Sequence, residues 1–130
     1  VDRGNANLAA RFTPLHPAVL KLVQRTVQVA RDGNLEVSVC GEMASQPLMA
    51  FALVGLGLRS LSVAPRAVPL MKRLLRSLNA ADAEAAATAA LRVSTAAEAE
   101  RLLGRALLEA VRDRALVDDG LLGLDERLYR

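Results

Sequence analysis

The stretch Val37-Ser38-Val39-Cys40-Gly41-Glu42-Met43-Ala44 decides the fold assignment, because an apolar run gives way within it to a thiol, a glycine and a carboxylate. Residues 35–39 are typical of a short buried strand, and Gly41 then allows a sharp turn. Polar side chains that end a parallel strand point into the mouth of an α/β fold, where ligands bind. Cys40 is therefore a candidate functional residue, although a free cysteine at such a place is also commonly an inert, buried thiol.

The segments around this strand predict one βαβ unit. A helix that starts at Pro17 and ends at Gly33 precedes the strand, and an apolar helix starting at Pro47 follows it after a loop at residues 40–46. Residues 58–63 form a second predicted strand. Two strands joined by one helix within about thirty residues are expected to be parallel. His16, beside a proline, is interpreted as a local packing or hydrogen-bonding residue in preference to a ligand.

The chain after Pro69 is predicted to be wholly helical. Asp82 is a plausible cap for an alanine-rich helix that runs to about Leu91, and Thr95 with Glu98 has the capping-box pattern of a longer helix. The prediction is thus a helix-rich α/β chain with about two parallel strands.

Composition excludes several classes of protein. The 130 residues suit one domain, and the net charge of +3 comes from basic residues spread along the chain without clustered aromatic side chains, which disfavours nucleic-acid binding. A single cysteine excludes a disulfide framework and fits a reducing compartment. No signal-peptide pattern is found, and the longest apolar window, at residues 47–58, is too short to cross a bilayer. We expect a cytoplasmic protein that does not enter the membrane.

Two stretches, taken together, resemble a known family. Val1-Asp2-Arg3-Gly4-Asn5 and the stretch from Val37 to Ala44 are similar in sequence and spacing to the C-terminal part of bacterial enzyme I, the phosphoenolpyruvate–protein phosphotransferase of the sugar phosphotransferase system. The resemblance continues through residues 14–20, 53–57 and 61–65, and it fades after about Arg76.

This resemblance implies the C-terminal portion of a (β/α)₈ TIM barrel that binds phosphoenolpyruvate with Mg²⁺. In the family, phosphoryl passes to a histidine on a separate N-terminal domain and then to a phosphocarrier protein, and pyruvate is released. By match to the motifs, Cys40 would protonate the enolate carbon and Arg3 would hold phosphoryl or carboxylate oxygens of the substrate. A thiol is mostly protonated at neutral pH, and the arginine fork suits such oxygens. Glu42 either orients the Cys40 loop or faces solvent.

The chain also departs from the family pattern. A whole barrel needs about 250 residues. The histidine domain and the magnesium-binding carboxylates of the family are not found in this sequence, and Gln46 stands where many relatives carry an acidic residue. We therefore expect residues 1–114 to be the C-terminal part of the barrel domain and residues 115–130 a tail, cut from something longer and inactive alone.

Two interpretations of the chain remain open at this point. Parallel strands without neighbours expose edges and apolar helix faces, so the enzyme fragment is expected to form a homo-oligomer. The alternative is a non-catalytic helical dimerisation or interaction module in which Cys40 is buried. A substrate site needs Arg3 and Cys40 on one polar cleft, and an interaction module does not.

Overall fold

Two short parallel strands and seven α-helices make up the part of the chain that the structure, a computed structural model, describes, namely residues 13–125 and Tyr129. In chain order the elements are α1 (Pro17–Asp32), β1 (Ser38–Cys40), α2 (Glu42–Ser45), α3 (Pro47–Gly55), β2 (Ser60–Ser62), a 3₁₀ turn (Pro65–Ala67), α4 (Val68–Ser77), α5 (Ala80–Ala90), α6 (Ala96–Ala110) and α7 (Ala115–Asp118). The predicted helix-rich α/β class is confirmed.

β1 and β2 lie side by side and parallel, as the βαβ pattern predicts. Their register pairs Ser38 with Ser60, Val39 with Leu61 and Cys40 with Ser62. Among the described residues these strands form a two-stranded sheet. The chain therefore holds one βαβ unit, with α2 and α3 inside the crossover.

Both strands begin later than predicted, because the leucine that precedes each of them belongs to a helix cap. Leu35 N donates to Ala30 O at 2.8 Å, and Leu58 N donates to Leu53 O at 3.0 Å. Such bonds are typical of the Schellman ending of a helix. Gly33 caps α1 as expected, but the left-handed residue of that turn is Asn34, whose φ is 52°.

The predicted loop at residues 40–46 is wrong, since Glu42–Ser45 forms the short helix α2. Ala44 is fully buried and Met43 packs against the core, so apolar burial holds this turn of helix in place. The connection from β1 to α3 is consequently ordered by packing rather than open.

α3 is the centre of the core. Its apolar character on all sides predicts cover on most faces, and residues 48–53 are all buried. α5 gives the most extensive cover, with α2, α4 and α6 on other sides, and α5 in turn packs against α6. The prediction of a core helix is confirmed.

The caps of the last helices agree with the sequence in one case and not in the other. Thr95 and Glu98 form the predicted capping box, in which Thr95 Oγ1 accepts from Glu98 N and Glu98 Oε2 accepts from Thr95 N. The Thr95 hydroxyl also donates to Glu98 Oε2, and this bond, together with that from Thr95 N, lowers the pKa of Glu98. Asp82 is not the cap of α5; Asn79 is, with its Oδ1 accepting from Ala81 N at 3.1 Å. Asn79 has the extended backbone that a cap requires, whereas Asp82 already lies inside the first turn.

The segment after α6 returns to the same core. Leu116, Val117 and Leu122 are buried, and Arg105 Nε donates to Tyr129 O at 3.1 Å. A Cβ placed on Gly104 would overlap the Tyr129 ring, so the ring lies directly on the α6 backbone. Within the described residues, every helix is too short or too polar to cross a membrane.

Candidate functional site

Cys40 is the last residue of β1, and its side chain is exposed. The position at the carboxyl end of a parallel strand is the one that the sequence predicts for a functional group. The alternative interpretation of a buried thiol is wrong for the described residues. Exposure makes the thiol available to a ligand; its role stays a prediction.

The face of the sheet that carries Cys40 is built from small polar side chains. Because side chains alternate along a strand, Val39 and Leu61 point to the core while their neighbours point the other way. The exposed set is Ser38, Cys40, Ser60 and Ser62. Register places Ser62 beside Cys40 at the carboxyl ends of both strands.

Sequence reasoning missed the two serines of β2. The signal was present, since Ser60-Leu61-Ser62 repeats the alternation of Ser38-Val39-Cys40. Pairing the two triplets in parallel would have placed Ser62 next to the thiol. Parallel sheets are normally covered on both faces, whereas this polar face is uncovered in the part of the chain that the structure describes.

Gly41 carries the chain out of β1 and into α2. Its φ of 88° is left-handed backbone, and an added Cβ would meet nothing within 4 Å. The glycine is therefore required by backbone conformation and not by lack of space. It directs Glu42 into the first turn of α2, where the side chain is exposed, which agrees with the solvent-facing interpretation of that carboxylate.

Four cavities between described residues lie away from Cys40. The largest of four, about 690 Å³, is at the opposite, amino end of the strands, and it is lined by Val27, Arg31, Leu35, Glu36, Val37, Ser38, Gly57, Arg59 and Ser60. None of the other three has Cys40 in its lining. Arg3 lies outside the described residues, so a cleft shared by Arg3 and Cys40 stays a prediction.

The described residues do not fit a magnesium site. They contain no group of three or more His, Cys, Asp or Glu side chains that could hold a metal ion. Mg²⁺ prefers several oxygen ligands, and within residues 38–46 only Glu42 carries a carboxylate. His16 is the N-cap of α1, where its Nδ1 accepts from Ala18 N at 3.1 Å, which confirms the local hydrogen-bonding interpretation.

The comparison with known proteins bears on the segment that contains this site. A sequence profile of the family described as "PEP-utilising enzyme, PEP-binding domain" matches residues 1–80. The match includes Arg3, Cys40 and both strands.

Individual relatives agree with this match. The chain is 36% identical over 109 residues to the phosphoenolpyruvate-protein phosphotransferase of Haemophilus influenzae, covering 84% of this chain and 19% of that protein. It is 49% identical over 65 residues to the protein of the same name from Cupriavidus necator, covering 50% of this chain and 11% of that protein. It is 40% identical over 75 residues to a probable phosphoenolpyruvate synthase of Pyrococcus horikoshii, covering 58% of this chain and 9% of that protein.

The chain thus spans less than a fifth of the length of these relatives. The profile nevertheless matches more than half of the chain, and it takes in the whole βαβ unit and the exposed thiol. This chain belongs to the family of PEP-utilising enzymes and carries part of their PEP-binding domain.

Proposed function

We propose that this chain is the C-terminal part of the phosphoenolpyruvate-binding barrel of a phosphoenolpyruvate–protein phosphotransferase. The observation that carries the proposal is the exposed Cys40 thiol at the carboxyl end of β1, inside the segment that matches the PEP-binding domain. Relatives that carry this name align over up to 84% of the chain.

In the proposed reaction this chain supplies the acid, and the rest of the enzyme supplies the histidine that is phosphorylated. A histidine outside this chain attacks the phosphorus of phosphoenolpyruvate, and the bond to the bridging oxygen breaks, leaving the enolate of pyruvate. The Cys40 thiol gives its proton to the methylene carbon of the enolate, which completes pyruvate and leaves a thiolate. The thiolate regains a proton from solvent, which the exposure of Cys40 permits. The phosphohistidine then passes its phosphoryl group to a phosphocarrier protein.

The remaining parts of the proposal concern Arg3, which lies outside the described residues, and a metal ion. Arg3 would bind phosphoryl or carboxylate oxygens through its planar fork. Mg²⁺ would be held by carboxylates elsewhere in the enzyme, because the described residues do not form such a site. We place the reaction in the cytoplasm, where a free thiol stays reduced.

The (β/α)₈ barrel is proposed from the two faces of the sheet. One face packs on the core through Val39 and Leu61, and the other presents Ser38, Cys40, Ser60 and Ser62, as expected for strands whose inner side faces a barrel interior. Beside β2 lies an apolar groove of about 490 Å³ whose lining includes Leu61, Val63 and Leu75. A further strand and helix of a barrel would pack there. In this account the barrel part is residues 1–114, and residues 115–130 are a tail.

Self-association is the expected consequence of such open surfaces. The unpaired sides of β1 and β2 and the apolar groove favour pairing with a second copy when barrel neighbours are absent. Light scattering coupled to size exclusion should give a particle larger than 13.8 kDa for this chain alone. A monomer at about 100 μM would contradict the dimerisation alternative. It would also contradict the expectation that the open strand edges associate.

The catalytic assignment is tested in the full-length protein by Cys40→Ala. General acid catalysis contributes about 10²–10⁴-fold, so the kcat of pyruvate release should fall by that order while the KM for phosphoenolpyruvate changes little. Arg3→Lys should instead raise that KM, because a lysine cannot make the bidentate contact. Ser38→Ala is the matched control, since it removes one polar atom from the same face of β1 without touching the thiol. A Cys40→Ala enzyme with the parental kcat would place the acid elsewhere.

A second candidate is phosphoenolpyruvate synthesis, which the Pyrococcus horikoshii relative favours by its name and 40% identity. In that direction Cys40 would remove a proton from the methyl carbon of pyruvate instead of giving one. The candidates separate in one assay. A phosphotransferase needs the phosphocarrier protein to release pyruvate continuously, whereas a synthase forms phosphoenolpyruvate from pyruvate and a nucleoside triphosphate that donates the phosphoryl group, without the carrier.

A further inference from the structure

A groove of about 550 Å³ lies between α4 and the segment that links α6 to α7. Its lining is Pro69, Lys72, Arg73, Arg76, Ser77, Arg112 and Asp113, and we name it the basic groove. The α4 residues among these recur at intervals of three and four, so they share one side of the helix. The opposite side of α4 carries the buried Met71 and Leu74, which fixes the orientation of the helix.

Two contacts hold the walls of the basic groove together. Arg73 Nε donates to Asp113 Oδ2 at 2.5 Å and Arg73 Nη2 donates to Asp113 Oδ1 at 3.0 Å, which is a bidentate ion pair. Arg112 N donates to Ser77 O at 3.1 Å, and this bond joins the segment after α6 to the end of α4. The cations of the groove are therefore mounted on two elements that are bonded to each other.

The lining of the basic groove is rich in positive charge. It holds four cations and one carboxylate, and Asp119 lies near enough to interact with Arg73 as well. The Arg73 guanidinium holds the pKa of Asp113 below its usual value, so that carboxylate stays ionised at neutral pH and offsets Arg73 alone. Within the described part of the chain, Lys72, Arg76 and Arg112 form no ion pair.

We propose that the basic groove docks an acidic peptide segment of a partner protein. The side of α4 from Pro69 to Ser77 is about 12 Å long at 1.5 Å per residue, which matches three or four residues of an extended peptide. Its exposed cations at intervals along a helix suit alternate Asp or Glu side chains, which lie on one side of an extended peptide, and charge complementarity of this kind speeds and orients association.

Other anionic ligands fit the groove less well. A bound phosphate group usually relies on free backbone N–H groups at a helix N-terminus, whereas the groove is lined at that end of α4 by Pro69, which has no N–H, and Arg112 N is already bonded to Ser77 O. Single-stranded nucleic acid needs aromatic side chains on which bases stack, and the lining of the groove has none. The proposal does not rest on the phosphotransferase assignment, since Cys40 lies outside this groove.

The test measures binding of a fluorescein-labelled ten-residue glutamate peptide to the full-length protein by anisotropy. The variant is Lys72→Glu with Arg76→Glu, and the matched control is Lys21→Glu with Arg25→Glu, the same residue types at the same spacing on exposed positions of α1. Reversing two rim charges should weaken binding at least roughly tenfold in 50 mM salt, and the control should stay within about twofold. Raising salt to 300 mM should weaken binding to the parent more than to the groove variant.

Stability is measured beside binding, because cations near the C-terminal end of α4 also interact with the helix dipole. The neutral variant Lys72→Gln with Arg76→Gln covers the case in which the charge reversal unfolds the protein; it should lose about threefold or more in affinity. Equal loss in the groove and control variants would show attraction to a basic chain in general and would overturn the proposal. So would absence of peptide binding, displacement of the peptide by inorganic phosphate at low millimolar concentration, or tighter groove-dependent binding of single-stranded DNA.

Discussion

The turn from α1 into β1 and the turn from α3 into β2 have the same backbone and opposite environments. In both, a left-handed residue is followed by a leucine whose N–H bonds back to the helix, namely Asn34 with Leu35 and Gly57 with Leu58. Leu58 is 1% exposed, whereas Leu35 is 67% exposed. A Schellman ending normally pairs its backbone bond with an apolar contact of the leucine, and here only one of the two turns makes that contact in full.

The backbone of such a turn is therefore set by the local sequence. The burial of its leucine depends instead on which other elements pack over it. Leu58 packs between α3 and α4, because α4 follows β2 and covers that side. Leu35 instead lines the 690 Å³ cavity with Arg31, Glu36 and Arg59. The described chain thus covers the leucine of the turn before β2 and leaves the leucine of the turn before β1 exposed.

The leucines give the largest expected effect. Leu58→Ala should lower the free energy of unfolding by about 2–5 kcal/mol, because it leaves a cavity in the core. Leu35→Ala should change it by about 0.5 kcal/mol or less, because most of that side chain stays in solvent in the folded state. Urea denaturation followed by circular dichroism measures both values. Similar costs for the two variants would mean that Leu35 is covered in solution, by a second copy or by another segment.

The left-handed residues give the next effect. Gly57→Ala should cost about 1–2 kcal/mol, since a φ of 97° is unfavourable for any L side chain. The new Cβ would also lie 3.2 Å from Val27 Cγ1. Asn34→Gly, by contrast, should change stability by less than about 0.5 kcal/mol, because asparagine already tolerates this conformation and glycine adds entropy to the unfolded chain. Calorimetry of both variants tests the pair, and a strongly stabilising Asn34→Gly would show that Asn34 is strained.

These two turns also show what the sequence could and could not predict. The position of Cys40 at a strand end followed from an apolar run that stops at Gly41, and the parallel direction followed from the strand–helix–strand order. The start of each strand did not, because a leucine satisfies the apolar pattern equally well in a strand or in a helix cap. The choice depends on the φ of the preceding residue, and Asn34 rarely signals that conformation as clearly as Gly57 does.

In the candidate site, too, some features follow from the local sequence and others from tertiary packing. Cys40 and the requirement for Gly41 are local, and both were predicted from the stretch that contains them. The approach of Ser62 to Cys40 depends on the register of two strands that are separated by α3, so neither triplet alone reveals it. Asn79 and Asp82 are both good caps by residue type, and the extended backbone at Asn79 decided between them.

The residue after each leucine gives the smallest effect, with opposite signs in the two turns. Arg59 Nη1 donates to Val54 O at 3.1 Å and to Leu58 O at 2.9 Å, so it caps the carbonyl end of α3. Glu36 holds the corresponding place after α1, where a carboxylate faces the negative end of a helix dipole.

Arg59→Met should cost about 0.5–1.5 kcal/mol through the lost hydrogen bonds. Glu36→Arg should gain at most about 0.3–1 kcal/mol from removing the carboxylate, because the last turn of α1 already carries Arg31 and the new cation would lie in one cavity with Arg31 and Arg59. Urea denaturation in low salt and in 1 M NaCl measures both, and screening should shrink the gain of Glu36→Arg. A gain that survives 1 M salt would come from packing of the arginine stem over Leu35, and the two turns would then differ in apolar cover alone.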